Sequence, residues 1–165
     1  MVKIAGQSES EQRRKKIVTF VLLVILLISV SLFLGGPKES EVIIVEFPNG
    51  KTMETEVAST PEKLLFGLAF REGLPADGGM LYIFESTGLH QVQTRQFRIP
   101  VDMIWIDESH HVVHILEQVP PCAQDPCPRY GPPPEPIRYL IETGAGYVHR
   151  EGIAAGMELR FTLRM

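Results

Sequence analysis

The sequence predicts a mainly β domain outside the cytoplasm. It reads as an antiparallel jelly-roll-like sandwich or distorted barrel of about eight strands with one short helix, preceded by a single transmembrane helix. Three observations predict this. Residues 17–34 (IVTFVLLVILLISVSLFL) are eighteen positions without a charge. Four cations, Arg13, Arg14, Lys15 and Lys16, stand directly before that run. From residue 41 onward, short runs of β-branched and aromatic residues are broken by Gly, Pro and Asn, which is the pattern of strands and turns.

The apolar run sets the expected address. Eighteen helical residues at about 1.5 Å each span about 27 Å, close to the roughly 30 Å hydrocarbon core. Cations flanking one end keep that end in the cytoplasm. The predicted divisions are a cytoplasmic tail over 1–16, polar and disordered, an anchor held by the lipid bilayer over 17–36, a linker over 37–41 and an extracytoplasmic β domain over 42–165. A cleaved signal peptide is the competing reading. Its apolar core would be long, Leu32, Phe33 and Leu34 crowd the positions that need small residues, and no cysteine directly follows to make a lipoprotein signal. Thr19, Ser29 and Ser31 are the only polar residues in the run, and it has no small-xxx-small spacing. That favours a plain tether over a helix packed in a membrane complex.

Charge excludes one class of partner. Before the run, five Lys/Arg and two Glu give 5 − 2 = +3; after it, eleven Lys/Arg and eighteen Asp/Glu give 11 − 18 = −7. A domain at −7 has no basic face to neutralise phosphates, so no nucleic-acid partner is expected. The composition also excludes a disordered chain and a multi-span membrane protein.

The elements follow in order. Val42 to Phe47 is a strand, Pro48-Asn49-Gly50-Lys51 a hairpin turn whose Asn-Gly suits type I′, and Thr52 to Ala58 the return. Thr60 caps a helix with Pro61 at its first position and Glu62 favouring the dipole. Leu64, Leu65 and Leu68 form its predicted buried stripe, Gly67 predicts close packing on a neighbour, and the helix should end near Gly73. Strands are expected at Met80 to Phe84, at His90 to Thr94, at Val101 to Asp107 and, after a turn at Glu108 to His110, at Val112 to Gln118. The proline-rich stretch 120–136 cannot be a central strand or helix interior. Ile137 to Thr143 and Met157 to Leu163 close the list, with a tight corner at Gly144-Ala145-Gly146.

Cys122 and Cys127 fall in the proline-rich stretch, beyond the predicted membrane. In an oxidising compartment such a pair reads as a disulfide. Free thiols and a metal pair are the other readings, though two thiolates alone rarely hold zinc.

Six motifs together resemble a known family. They are ASTPEKLLFGLAFR from Ala58, GGMLYIF from Gly78, RIPVDMIWID from Arg98, PPCAQDPCPRY from Pro120, YLIETGAG from Tyr139 and GIAAGMEL from Gly152. In this order they resemble the family of domain of unknown function 192, over residues 42–163. The resemblance implies a mainly β, jelly-roll-like fold, often exported or membrane-tethered, with no established activity. Many members carry an aromatic-Trp-Met-Lys-Asn-Thr stretch just before the Ile-Pro motif. Here it is Val92-Gln93-Thr94-Arg95-Gln96-Phe97. Arg95 keeps the cation but the Trp, Asn and Thr are gone, so a family site built on this stretch would have an altered ligand in this chain or none.

The candidate binding residues are Arg71, Arg95, Asp102 and Glu142. Asp102 and Glu142 are acids inside apolar strands and must find partners if buried. Arg71, Arg95 and Arg98 are the cations near enough in sequence to serve. The expectation is that Arg71, Arg95, Asp102 and Glu142 converge at one rim, with the opposite charges keeping both carboxylates ionised. Asp102 with Glu142 as a carboxylate pair for acid–base work is a further reading. His110, His111 and His114 look like a metal motif, but a turn places the first two and the third follows at a spacing that alternates faces, so solvated turn histidines are expected and no metal. Ser86 or Thr87 beside His90 is a weak nucleophile–base pairing. No cofactor motif is present. The function expected is a membrane-anchored binding or accessory module of the cell envelope, partnered by an envelope protein or a small ligand. An envelope hydrolase with a carboxylate-based site and a structural subunit of a membrane complex are the alternatives.

Overall fold

The computed structural model describes residues 5–34 and 41–163, and within the first helix the side chains of 12–30 only. The chain forms two units, divided between Glu39 and Ser40. The first is one helix, α1 (Ala5–Leu34), so most of the expected disordered tail is helical. Among the described residues no helix is long and apolar enough to cross a membrane. The described side chains begin beside Arg13 to Lys16, and positions 31–36 of the expected anchor, like 37–40 of the linker, lie outside them. The two described hydroxyls of the run bond back one turn, Thr19 Oγ1 to the Lys15 carbonyl at 2.9 Å and Ser29 Oγ to the Ile25 carbonyl at 2.8 Å. They satisfy themselves within the helix.

The second unit is built on one sheet. Its strands are β1 (Val42–Glu46), β2 (Thr52–Ala58), β3 (Gly78–Gly88), β4 (Val101–Ile106), β5 (Val112–Val119), β6 (Ile137–Gly144) and β7 (Arg160–Leu163), with short helices α2 (Pro61–Phe66) and α3 (Tyr147–Glu151). The spatial order is β5-β4-β6-β3-β2-β1-β7. This corrects the antiparallel sandwich to a single seven-stranded mixed sheet. The departure lies at β2 and β3, which pair in parallel with Val57 opposite Leu81. Parallel neighbours need a crossover, and α2 with the loop after it provides one. The expected strand at His90 to Thr94 reduces to single bridges, Val92 to Tyr130 and Arg95 to Cys122.

Local chemistry explains the other departures. Gly50 N donates to the Phe47 carbonyl at 2.9 Å, Phe47 N donates to the Lys51 carbonyl, and only Gly50 takes a positive φ, at 81°. The hairpin is therefore a three-residue loop with Pro48 preset for the first corner, in place of a type I′ turn. Thr60 accepts from Lys63 N at 3.3 Å as expected of a cap, but α2 stops at Phe66 because Gly67 leaves the helical conformation, with φ 48° and ψ −124°. That early stop leaves Leu65 78% exposed while Leu68 is fully buried. The glycine corner opens directly into α3, with Gly146 as its left-handed N-cap.

Strand alternation sorts the core into two. One face of the sheet carries Val45, Met53, Leu81, Ile104 and Ile141 against Tyr147 and Val148 of α3. The other carries Met80, Tyr82, Met103, Trp105 and Leu140 against Leu68. β4 and β6 are buried on both faces, as central strands of a covered sheet are.

Candidate functional site

Glu142 lies on β6 and Tyr82 on β3, and the two strands are neighbours with Met80 opposite Glu142 and Tyr82 opposite Leu140. The two side chains are thus diagonal on the α2 face, within reach of each other. The Tyr82 hydroxyl donates to Glu142 Oε2 at 2.5 Å. Tyr82 is 3% and Glu142 1% exposed. Burial pushes the Glu142 carboxyl from 4.5 up to about 8, although the Tyr82 bond opposes the shift. At neutral pH the protonated acid therefore dominates. The Tyr82 phenol is pushed well above its usual value, first by burial and then by the neighbouring acid. Its oxygen also meets the backbone at Leu68, beside Gly67. A Cβ on Gly67 would fall 1.9 Å from that oxygen, so the glycine is where the hydroxyl has room to sit.

This pair forms the wall of a cavity of about 280 Å³. Leu64, Leu65 and Phe66 of α2 line one side, Phe84 and Phe97 add aromatic surface, and Gln91, Gln93, Arg95 and Arg129 bring polar groups. Glu142 is the only acid among the lining residues. Of these polar groups, Gln93 and Arg95 come from the stretch at which the chain departs from the Trp-Met-Lys-Asn-Thr pattern, and Arg129 comes from the proline-rich loop. That stretch is held by the proline-rich loop. Gln96 N donates to the Cys122 carbonyl and Cys122 N to the Thr94 carbonyl, both at 3.0 Å. Gln93 Nε2 donates to the Cys127 carbonyl at 2.8 Å and Thr94 Oγ1 to the Pro120 carbonyl at 2.8 Å. Cys122 and Cys127 form a disulfide, with Cα atoms 5.8 Å apart.

The four candidate residues do not converge. Arg95 and Glu142 share the cavity. Arg71 faces a neighbouring hollow and makes two 2.6 Å bonds to Glu56; its charge reaches Tyr82 without entering the cavity. Arg95 pairs with Asp125 at 2.6 Å and Arg98 with Glu72. Asp102 pairs in register with Thr143, whereas Met103 pairs with Glu142, so Asp102 points to the opposite face. It bonds two backbone N–H groups, those of Gln118 and Val148, and no arginine. The two acids are therefore no carboxylate pair, and the expectation that both are kept ionised by arginines fails at Glu142, which burial holds protonated.

The other candidates resolve simply. His110 packs on Tyr139 and Phe161, His114 on Trp105. Among the described residues no three metal-capable side chains cluster. A His90 ring nitrogen lies 2.8 Å from the Ser86 carbonyl, not its hydroxyl, and Thr87 donates to Glu108. Tyr82 and Arg129 were not anticipated. The readable signal for Tyr82 was a phenol in a strand otherwise apolar, whose hydroxyl must find a partner when buried.

Residues 44–161 match the family model described as DUF192, Uncharacterized ACR. No curated protein matches the chain. Among solved structures, a protein of Sinorhizobium meliloti 1021 named as a suspected transcription regulator is 26% identical with a TM-score of 0.65, covering 76% of this chain and 98% of its own. A protein of unknown function from Novosphingobium aromaticivorans DSM 12444 is 22% identical with a TM-score of 0.65, covering 72% of this chain and 83% of its own; that likeness is one of fold.

Proposed function

The chain belongs to the DUF192 family, and on that premise we propose that it is a membrane-anchored binding module of the cell envelope, taking a small ligand in the Tyr82–Glu142 cavity. One observation carries the reading. A buried acid and phenol, bonded to each other, line a cavity that also offers apolar and cationic surface, the mixture by which small-molecule sites orient a ligand. The tether is supported by the uncharged run 17–34, by the cations before it and by hydroxyls that bond within their own helix. The disulfide fits an oxidising compartment. The hydrolase reading draws on the same Glu142, since a carboxyl protonated at neutral pH can donate a proton. Two-carboxylate hydrolysis needs a second acid in the cavity, and no other lining residue is one.

Both halves are testable on the full-length protein. A cysteine placed at Lys38 should react with an impermeant thiol reagent on intact cells and one placed at Ser8 should not; the reverse labelling, or a mature N-terminus near residue 37, rejects the anchor. In detergent, small molecules that raise the melting temperature should lose their effect in Gln91→Trp, which puts a bulky ring at an exposed position of the cavity wall. A library without such molecules rejects the cavity as a binding site.

A further inference from the structure

We propose that the cavity selects a small organic anion, a monocarboxylate on an apolar body, with Arg129 as the group that receives the carboxylate. This rests on the binding-module reading and specifies its ligand.

Three other ionisable side chains line the cavity with Glu142. From β3 comes Tyr82, neutral through the physiological range. The segment before β4 brings Arg95, whose guanidinium already pairs with Asp125. The proline-rich stretch brings Arg129, which has no acid partner among the described residues. The strand partners of Glu142 are Met80 and Met103, which carry no charge. With Glu142 protonated and Arg95 paired to Asp125, the guanidinium of Arg129 is the charge left over in the lining, and it favours an anion.

Geometry narrows the anion. The site is a half-open hollow with room for a small organic molecule. The amide nitrogens of Gln91 and Gln93 are bonded to the Gly131 and Cys127 carbonyls. Each still has a second N–H to offer, and the guanidinium of Arg129, whose planar fork matches a carboxylate, supplies the charge. Leu64, Phe66, Phe84 and Phe97 supply an apolar surface for the rest of the molecule. The Tyr82–Glu142 pair stands ready to exchange hydrogen bonds with a hydroxyl at its far end.

The choice of a protonated acid has a consequence for binding. A second anion beside an ionised carboxylate is repelled. The preference for an anion should therefore hold below the titration of Glu142 and fade above it.

The test uses the protein in detergent with 4-(hydroxymethyl)benzoate, phenylacetate and hexanoate, each beside its matching amide, measured by calorimetry or NMR at pH 6.5 and 9.5. At pH 6.5 at least one acid should bind tenfold or more tightly than its amide. Arg129→Gln, a change at an exposed position, should remove that preference. Raising the pH to 9.5 should weaken the acid at least fivefold, and Glu142→Gln should remove this pH effect. Equal binding of acids and amides, or a preference that survives Arg129→Gln, overturns the anion inference and leaves the binding module standing. Binding of neither series overturns both.

Discussion

Asp102 Oδ2 accepts a 2.9 Å hydrogen bond from the backbone N–H of Val148, forty-six residues further along the chain. Its other oxygen accepts from Gln118 N at 2.8 Å. Both donors lack regular partners. Val148 lies in the first turn of α3, whose N-cap Gly146 has no side chain to cap it. Gln118 lies where the β4–β5 ladder steps from Val101–Val119 to Met103–Leu116, one residue more on β5 than on β4. Asp102→Asn sets an amide nitrogen against one of these donors. It should cost about 2 kcal/mol, read by urea unfolding, with ligand affinity of the cavity on the other face unchanged. An unaltered midpoint would remove Asp102 from the framework.

Glu142 should impose a pH dependence on stability. Its folded value, about 8, lies above the unfolded 4.5. The folded chain keeps a proton that the unfolded chain releases, so stability is full below pH 4.5, falls as pH rises toward 8 and is level beyond. Glu142→Gln resembles the protonated acid and cannot ionise. The difference in unfolding free energy, wild type minus variant, should decline by a few kcal/mol between pH 5 and pH 8. A flat difference would mean that Glu142 titrates normally in the fold.

Gly67→Ala should be costly twice over. The residue has φ 48°, and its new methyl would meet the Tyr82 hydroxyl and ring. Strain and overpacking together suggest a loss of about 2 kcal/mol or more. In a Tyr82→Phe background, where the oxygen is gone, the same change should cost less, and thermal unfolding of the four proteins in the cycle reads that coupling. Additive losses would show that the hydroxyl does not occupy the glycine's space.

Cys122→Ser should cost only about 2 kcal/mol, since the closed loop is short. The sheet should persist, and the damage should be local. The Gln96 amide, bonded to the Cys122 carbonyl, should exchange its hydrogen markedly faster, while that of Ile104 in β4 should not. Equal acceleration at both would show that the loop supports the whole domain.

Much of this fold was legible in the chain. β2 matches its predicted span, and β4 and β6 differ from theirs by one residue each, because period-two alternation bounded by Gly, Pro or Asn is a local signal. Which strands pair is not local. The helix after Thr60 was readable, but its role as the crossover that makes β2 and β3 parallel depends on where the chain returns. The site divides the same way. An acid in an apolar strand marks Asp102 and Glu142 equally well. Only the β4–β6 register, with Asp102 against Thr143 and Met103 against Glu142, places them on opposite faces, and a shift of one residue would have joined them. Helical spacing assigns Leu65 to the core only while the helix continues, and Gly67 ends it.

The place of β1 in the sheet bears on how the domain is made. β1 lies between β2 and β7, with Ile43 opposite both Thr55 and Leu163. One neighbour follows within a dozen residues and the other arrives last. During synthesis β1 can zip to β2 almost at once, yet its outer row of N–H and C=O groups stays bare until residues 160–163 emerge. A bare strand edge is a template for any passing strand, so a nascent chain halted short of residue 160 would present β1 as that edge, a place that the short β7 takes in the finished domain.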